Sequence, residues 1–96
     1  MRYNFKWDPV KANENVRKHK VNFQRAGTIF HDPHAISIFD EEHSREEERW
    51  ITIGKDNSEI LLVVAHTFQG INASSCRVHI ISARKATKKE RKQYEE

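Results

Sequence analysis

The sequence has a single cysteine and no long apolar run, and both shortages restrict the classes of protein to which it can belong. The lone thiol of Cys76 excludes a disulfide framework and fits a reducing compartment. The longest apolar run, Ile60 to Ala65, is much too short to cross a bilayer, and no apolar signal segment follows the N-terminal Met-Arg. We therefore expect a soluble, cytoplasmic protein with no membrane contact.

Repeats, low-complexity tracts and internal linkers are absent as well. A chain of 96 residues can form one sheet with a few helices but not two independent cores, so residues 1–96 are predicted to form a single domain. The formal net charge is +3, but it is unevenly spread. Acidic residues concentrate in Asp40 to Glu48, and basic residues in the first twenty positions and after Arg77. This distribution indicates an anionic partner on one side of the molecule.

Capping signals predict where the helices begin. Asp8 can cap a first helix, and Asn22 a second that runs from about Phe23 to His31. Thr87 begins a capping box that opens a short terminal helix. The chain is therefore predicted to be an α+β protein.

Alternating and continuous apolar runs predict the strands, and short polar turns between the last three favour an antiparallel meander. The expected strands are a short edge strand near Tyr3 to Trp7, then Ala35 to Phe39, Arg49 to Lys55, a central strand Ile60 to Phe68 covered on both faces, and one from Arg77 onward.

The strand that begins at Arg77 places cationic groups next to an apolar face. Side chains two positions apart share a face, so Arg77 and His79 should lie side by side. A basic helix follows this strand directly. Such a surface is suited to binding phosphates. By the same alternation, the opposite face should carry Val78, Ile80 and Ser82.

Six segments, in their order and spacing, resemble one known family. They are Phe5-Lys6-Trp7-Asp8-Pro9, Asn15-Val16-Arg17-Lys18-His19, Phe30-His31-Asp32-Pro33, Arg49-Trp50-Ile51-Thr52-Ile53-Gly54, Leu62-Val63-Val64-Ala65-His66-Thr67, and Ile80-Ile81-Ser82-Ala83-Arg84-Lys85-Ala86-Thr87-Lys88-Lys89-Glu90-Arg91. No single segment is diagnostic, but together they span nearly the whole chain. They resemble BrnT, the toxin of a bacterial type II toxin–antitoxin pair.

The resemblance implies a RelE-like fold, which is a compact antiparallel sheet with two N-terminal helices and a short C-terminal helix, the helices packing on one side. It implies a ribonuclease that arrests growth by cutting RNA. It also implies a BrnA-like antitoxin, whose ribbon-helix-helix part contacts operator DNA, and a heterotetramer with two copies of each protein. Two positions depart from the family pattern: Lys20 stands where Gly is usual, and His79 where many members carry a second Arg.

Cleavage by such a toxin uses the 2′-hydroxyl of the RNA to attack the neighbouring phosphate, so the protein must move protons and stabilise charge. Arg77 and Arg84 are the candidates for charge stabilisation, with Arg91 as a further catalytic candidate. The alternative is that these arginines pair with surface carboxylates such as those in Asp40 to Glu48. His79 is either a general base kept neutral by the adjacent guanidinium or a partly buried histidine bonded to backbone, and His66 has the same two readings.

Several further residues are candidates for RNA binding. Lys88 and Lys89 lie in the first turn of the terminal helix, where positive charge opposes the helix dipole, so stability does not require them there. Trp50 is either a base-stacking residue or part of the core, and Tyr94 either a proton donor or a packing residue. The predicted phosphate contacts are Lys18, Lys85, Lys88, Lys89 and Arg91.

No metal or other cofactor is expected. The spacing of His31, Asp32, His34 and His43 matches no strong ligand pattern. Three functions stay open on the residues alone: a metal-independent endoribonuclease, a nucleic-acid-binding module without catalysis, and a subunit whose basic face docks an acidic antitoxin segment.

Overall fold

Five strands and three helices form the chain, and the α+β prediction is confirmed. The computed structural model describes residues 1–96. In chain order the elements are β1 (Arg2–Lys6), α1 (Pro9–His19), α2 (Phe23–Gly27), a 3-10 turn (Thr28–His31), β2 (Ile36–Phe39), β3 (Arg49–Lys55), β4 (Leu61–Asn72), β5 (Ser75–Lys85) and α3 (Lys88–Glu95). None of the helices has the length and apolar character needed to span a membrane.

The sheet is mixed rather than purely antiparallel. Its strand order is β1-β5-β4-β3-β2, and the predicted antiparallel meander of β3, β4 and β5 is confirmed. β1 lies at an edge, as predicted, but it pairs with β5 in the parallel sense, with Phe5 opposite Val78. The expectation of an antiparallel sheet is therefore wrong at this edge. Alternation along β1 identifies a strand, but it contains no information about the direction of the neighbouring strand.

The caps form as predicted. The Asp8 carboxylate accepts the N–H of Val10 at 2.9 Å, and the Asn22 side chain accepts the N–H of Arg25 at 2.7 Å. Thr87 and Glu90 make both bonds of the capping box. The helix expected to run from Phe23 to His31 is α-helical only as far as Gly27 and continues as the 3-10 turn.

Helices cover both faces of the sheet, which corrects the implied arrangement on one side. Leu62 and Val64 pack with α2 residues such as Phe23, on what we call the α1 face. Leu61 and Val63 alternate with them and pack on the other side with Tyr94 of α3, on what we call the α3 face. β4 is thus buried on both faces over Leu61 to Val64, as predicted for a central strand, and becomes exposed from Phe68 onward.

A β-bulge at Ile81 changes which side chains of β5 share a face. His66 pairs with Ile80, but the next residue of β4, Ala65, pairs with Ser82. The extra residue puts Ser82 on the α3 face, so its predicted place beside Val78 and Ile80 is wrong. The bulge also brings Arg84 onto the α3 face, which is the face of Arg77.

Asn15 of α1 completes the edge of β5 beyond the end of β1. Its side chain is buried, accepts the Ala83 N–H at 3.0 Å, and donates to the carbonyl oxygens of Ala83 at 2.7 Å and Val21 at 2.9 Å. One amide side chain therefore provides the hydrogen bonds that a neighbouring strand would otherwise supply.

Lys20, which replaces the usual glycine at the end of α1, adopts the left-handed conformation, with φ 60° and ψ 29°. A side chain with a Cβ is disfavoured there by about 1 kcal/mol. We expect Lys20→Gly to raise the free energy of unfolding by up to about 1 kcal/mol in urea titrations. The matched control is Glu14→Gly, in the middle of the same helix, which should lower it by about 0.5–1 kcal/mol. Equal effects of the two changes would contradict a strained Lys20.

Candidate functional site

A cleft of about 440 Å³ opens on the α3 face, at the end of β5 that is remote from α3. Arg77 and His79 lie side by side in it, as predicted. Lys6 of β1 is the register partner of His79 and brings a further cation to the cleft. On the other side of β5, Thr67 and Gln69 of β4 are the partners of His79 and Arg77. Three neighbouring strands thus build the floor of the cleft.

Carboxylates face these cations. Glu47 and Glu48 come from the loop before β3, and neither forms an ion pair with the exposed Arg77, since the chain's ion pairs all lie elsewhere. The imidazole of His79 is half-buried and has no hydrogen-bond partner within the chain, so the backbone-bonded alternative does not describe it. The lining of this space, the Arg77 cleft, consists of Lys6, Glu47, Glu48, Thr67, Phe68, Gln69, Arg77 and His79.

The carboxylates and Lys6 of the Arg77 cleft were not among the residues selected from the sequence. Lys6 carries a weak signal, because it alternates with the apolar Phe5 and Trp7 and so points away from the core. Its place beside His79 follows only from the parallel pairing of β1 with β5. Nothing in the acidic run shows which of its residues returns to the sheet.

Arg84 is held by a carboxylate, which is the alternative considered from the sequence, although the partner is Glu90 rather than a residue of the acidic run. The two guanidinium nitrogens donate to the two Glu90 oxygens at 2.7 and 2.8 Å. Glu90 also accepts the N–H of Thr87 at 2.9 Å. The Arg84 bonds are the main reason that the pKa of Glu90 falls to about 2. Arg84 therefore anchors the start of α3.

The other predicted cations lie apart from the Arg77 cleft. Arg77 and Arg84 are roughly 20 Å apart along β5, at about 3.3 Å per residue. Lys18 lies on α1 in a third place, close to Ser82. The exposed cations of α3 form a separate group, called the α3 surface, which consists of Lys88, Lys89 and Arg91. Lys85 follows Arg84 in β5 but is the partner of Leu62, so it lies on the α1 face.

Trp50 lies on the α1 face, which is opposite to Arg77. It is half-buried, and Phe39 contacts it edge to face at a centroid distance of 5.2 Å. His66 lines the same region: its Nε2 is 2.6 Å from the Thr52 hydroxyl and its Nδ1 is 3.1 Å from the Thr67 carbonyl. Burial lowers the pKa of His66. Trp50 is thus not part of the Arg77 cleft.

Tyr94 and the histidine-rich loops have structural partners. The Tyr94 hydroxyl donates to Asp32 at 2.7 Å, and burial together with this bond raises the pKa of Tyr94 to about 12. Asp32 also accepts the N–H of His34, and the His43 ring pairs with Asp40. No group of three His, Cys, Asp or Glu side chains is arranged to hold a metal ion. Tyr94 therefore packs and bonds rather than titrating near neutral pH.

The ion pair of Arg84 and Glu90 should make the stability of the fold depend on pH in the acidic range. The folded pKa of Glu90, about 2, lies below its ordinary value of 4.5, so this stabilisation is complete above pH 4.5 and is lost as pH falls towards 2. Between neutral pH and pH 2 the free energy of unfolding should therefore fall, and we expect this fall to be smaller in Glu90→Gln by about 1–2 kcal/mol. The figure is reduced because Arg84 is partly exposed to solvent. Urea titrations from pH 6 to about 2 measure it, with Glu95→Gln on the same helix as control. An unaltered pH profile in Glu90→Gln would show that the pair adds nothing.

Comparison with a solved structure identifies the fold. The crystal structure of the ribonuclease toxin BrnT of Brucella abortus, at 1.1 Å resolution, is similar to this chain with a TM-score of 0.62. The match covers 92% of this chain and 100% of that chain at 20% identity, so it concerns the fold alone. No curated protein sequence matches this chain. This chain therefore has the α+β fold of that protein.

The family follows from the sequence itself. The family model for BrnT, the ribonuclease toxin of type II toxin–antitoxin systems, matches residues 7–90. The chain therefore belongs to the BrnT family, and the resemblance of the six segments is confirmed. Membership implies an RNA substrate and an antitoxin partner.

Proposed function

We propose that this protein is a metal-independent endoribonuclease of the cytoplasm and that the Arg77 cleft is its active site. The observation that carries the proposal is the cleft itself, where unpaired Arg77, Lys6 and His79 face two carboxylates. A phosphate needs cations close to its oxygens, and proton transfer needs two titratable groups beside it. This cleft offers both.

In the proposed reaction, Arg77 and Lys6 bind the oxygens of the scissile phosphate and stabilise the charge that develops on them. A base removes the proton of the 2′-hydroxyl, and the freed oxygen bonds to phosphorus. The bond to the 5′-oxygen then breaks as an acid supplies a proton to it. His79 and one of the pair Glu47 and Glu48 fill these two roles. The products are a 2′,3′-cyclic phosphate and a 5′-hydroxyl end.

The α3 surface, Lys85 and Lys18 are proposed to contact the RNA backbone away from the cut, where they add affinity that depends on salt. Arg91 lies with this surface, so its proposed contribution is to binding at a distance from the Arg77 cleft. Arg84 acts through the ion pair that positions α3. The RelE-like character of the fold, which the resemblance to BrnT implies, is part of the proposal.

The proposed partner is a BrnA-like ribbon-helix-helix antitoxin in a heterotetramer, and DNA is contacted only through it. Its acidic segment would lie against the α3 surface, where opposite charge speeds association. Reversal of Lys88 and Lys89 to Glu should weaken both the antitoxin complex and RNA binding. If RNA binding falls while antitoxin affinity and its salt dependence stay unchanged, the antitoxin occupies another surface.

The test of the reaction is cleavage of a defined single-stranded RNA by the purified protein, with and without EDTA. We expect equal cleavage under both conditions and cyclic phosphate ends, because the 2′-hydroxyl route needs no metal. Activity lost in EDTA and restored by a divalent ion would contradict metal independence. Binding of intact RNA without any cleavage would favour the non-catalytic alternative.

A further inference from the structure

A second, smaller cavity of about 280 Å³ lies on the α1 face at the start of β3. Aromatic rings form most of its wall, and no lysine, arginine or carboxylate reaches it. Four of its lining side chains carry polar atoms, namely Tyr3, Ser37, Trp50 and His66, and Phe30 packs edge to face on the His66 ring at 4.9 Å. We call this cavity the aromatic pocket; it is lined by Tyr3, Phe30, Ser37, Trp50, His66 and Phe68.

A chain of three hydrogen bonds determines whether the Ser37 hydroxyl acts as a donor or as an acceptor towards Thr52. The Thr67 carbonyl can only accept, so His66 Nδ1 carries the ring proton and donates to it at 3.1 Å. His66 Nε2 then accepts from the Thr52 hydroxyl at 2.6 Å, which uses the only proton of Thr52. Ser37 must therefore donate to the Thr52 oxygen at 2.8 Å. What Ser37 presents to the pocket is a pair of acceptor sites and no donor.

The aromatic pocket adjoins the Arg77 cleft although the two open on opposite faces. Phe68 lines both, and its side chain is 48% exposed. The pairing of β3 with β4 ends at Arg49 and Thr67, so β4 has no neighbour on this side at Phe68. Phe68 therefore lies between the phosphate site at Arg77 and the aromatic pocket, at the edge of the sheet that joins them.

We infer that the aromatic pocket binds one unpaired nucleobase of the RNA, next to the phosphate held in the Arg77 cleft, through stacking on its rings and an N–H donated to Ser37. The inference rests on the proposed function. Single-stranded RNA is commonly recognised by stacking of splayed bases on aromatic side chains combined with hydrogen bonds at the base edges. The amino group of adenine is the donor that suits Ser37. An apolar side chain of a protein partner would pack against the aromatic rings but would donate no hydrogen bond to the Ser37 oxygen.

The test compares adenosine with purine riboside, which lacks only the amino group. Binding is followed by NMR at the indole N–H of Trp50, and Trp7, which packs on Phe23 in the core, is the internal control. We expect adenosine to shift the Trp50 signal and to bind about fivefold more tightly than purine riboside. Ser37→Ala should abolish that difference, whereas the control Ser58→Ala in an exposed turn should retain it.

Equal affinities for the two nucleosides, or a preference that persists in Ser37→Ala, would overturn the assignment of Ser37. Absence of any Trp50 shift with either nucleoside, together with a shift on adding the antitoxin, would assign the pocket to a protein partner instead. The titration requires no RNA cleavage, so its result is independent of whether the Arg77 cleft is catalytic. Conversely, if adenosine binds but the protein does not cleave RNA, the proposed reaction is contradicted and the assignment of the pocket as a nucleobase site stands.

Discussion

Arg77→Ala is expected to lower the rate of RNA cleavage by about 10²–10³-fold while leaving the fold intact. The Arg77 side chain is exposed and forms no ion pair or hydrogen bond within the chain, so the fold does not require its guanidinium group. Its proposed role is to stabilise the phosphate as charge develops on it, and a neutral methyl group cannot do this. The measurement is single-turnover cleavage of a defined RNA by purified protein, alongside a thermal melt.

Two further variants sharpen this prediction. Arg77→Lys keeps the charge but not the planar fork, so it should recover only part of the lost rate. Arg17→Ala removes an exposed arginine from α1, remote from the cleft, and should cleave at the rate of the unaltered protein. An Arg77→Ala protein that cleaves as fast as this control would exclude the Arg77 cleft as the active site.

Arg84 shows why Arg77 is the better probe. From the sequence alone, Arg84→Ala is predicted to abolish toxicity without harming the fold, since Arg84 lies where the strand meets the basic helix. The structure gives Arg84 a bidentate pair with Glu90 inside the capping box of α3. Its removal should therefore loosen α3 as well, and a loss of toxicity would not separate chemistry from stability.

Local rules predicted the parts of the chain whose structure depends on near neighbours. Asp8, Asn22 and Thr87 cap helices as expected, because a cap is decided within four residues. The place of Arg77 beside His79 follows from strand alternation in the same way. These features required no knowledge of the rest of the fold.

Features that depend on pairing between distant segments were not predictable in this way. The bulge at Ile81 shifts the alternation of β5 by one residue, so it moves Ser82 and Arg84 to the α3 face. The parallel pairing of β1 brings Lys6 to His79. The sequence therefore predicted part of the candidate site. It identified the β5 residues, but it did not identify Lys6 or the two carboxylates.

Asn15→Ala is expected to cause the largest loss of stability, about 3 kcal/mol or more. Its amide makes three hydrogen bonds to backbone groups of Val21 and Ala83, in the buried junction of α1 with β5. An alanine leaves two carbonyl oxygens and one N–H without partners, and each such group costs about 1–3 kcal/mol when buried. A small domain has about 5–15 kcal/mol in total, so much of it would be lost. Urea titration at neutral pH gives the free energy of unfolding.

Asn13→Ala is the matched control, because Asn13 is exposed on the same helix and makes no side-chain bond. Its stability should change by less than about 0.5 kcal/mol. Asn15→Asp separates hydrogen bonding from shape: its carboxylate still accepts the Ala83 N–H but faces two carbonyl oxygens without a proton to donate. That variant should be at least as unstable as Asn15→Ala at neutral pH and should regain stability as pH falls and the carboxyl takes up a proton. The contrary result is a free energy of unfolding of Asn15→Ala that differs from that of the unaltered protein by less than about 1 kcal/mol. That result would mean that water reaches the edge of β5 and that the amide does not replace a neighbouring strand.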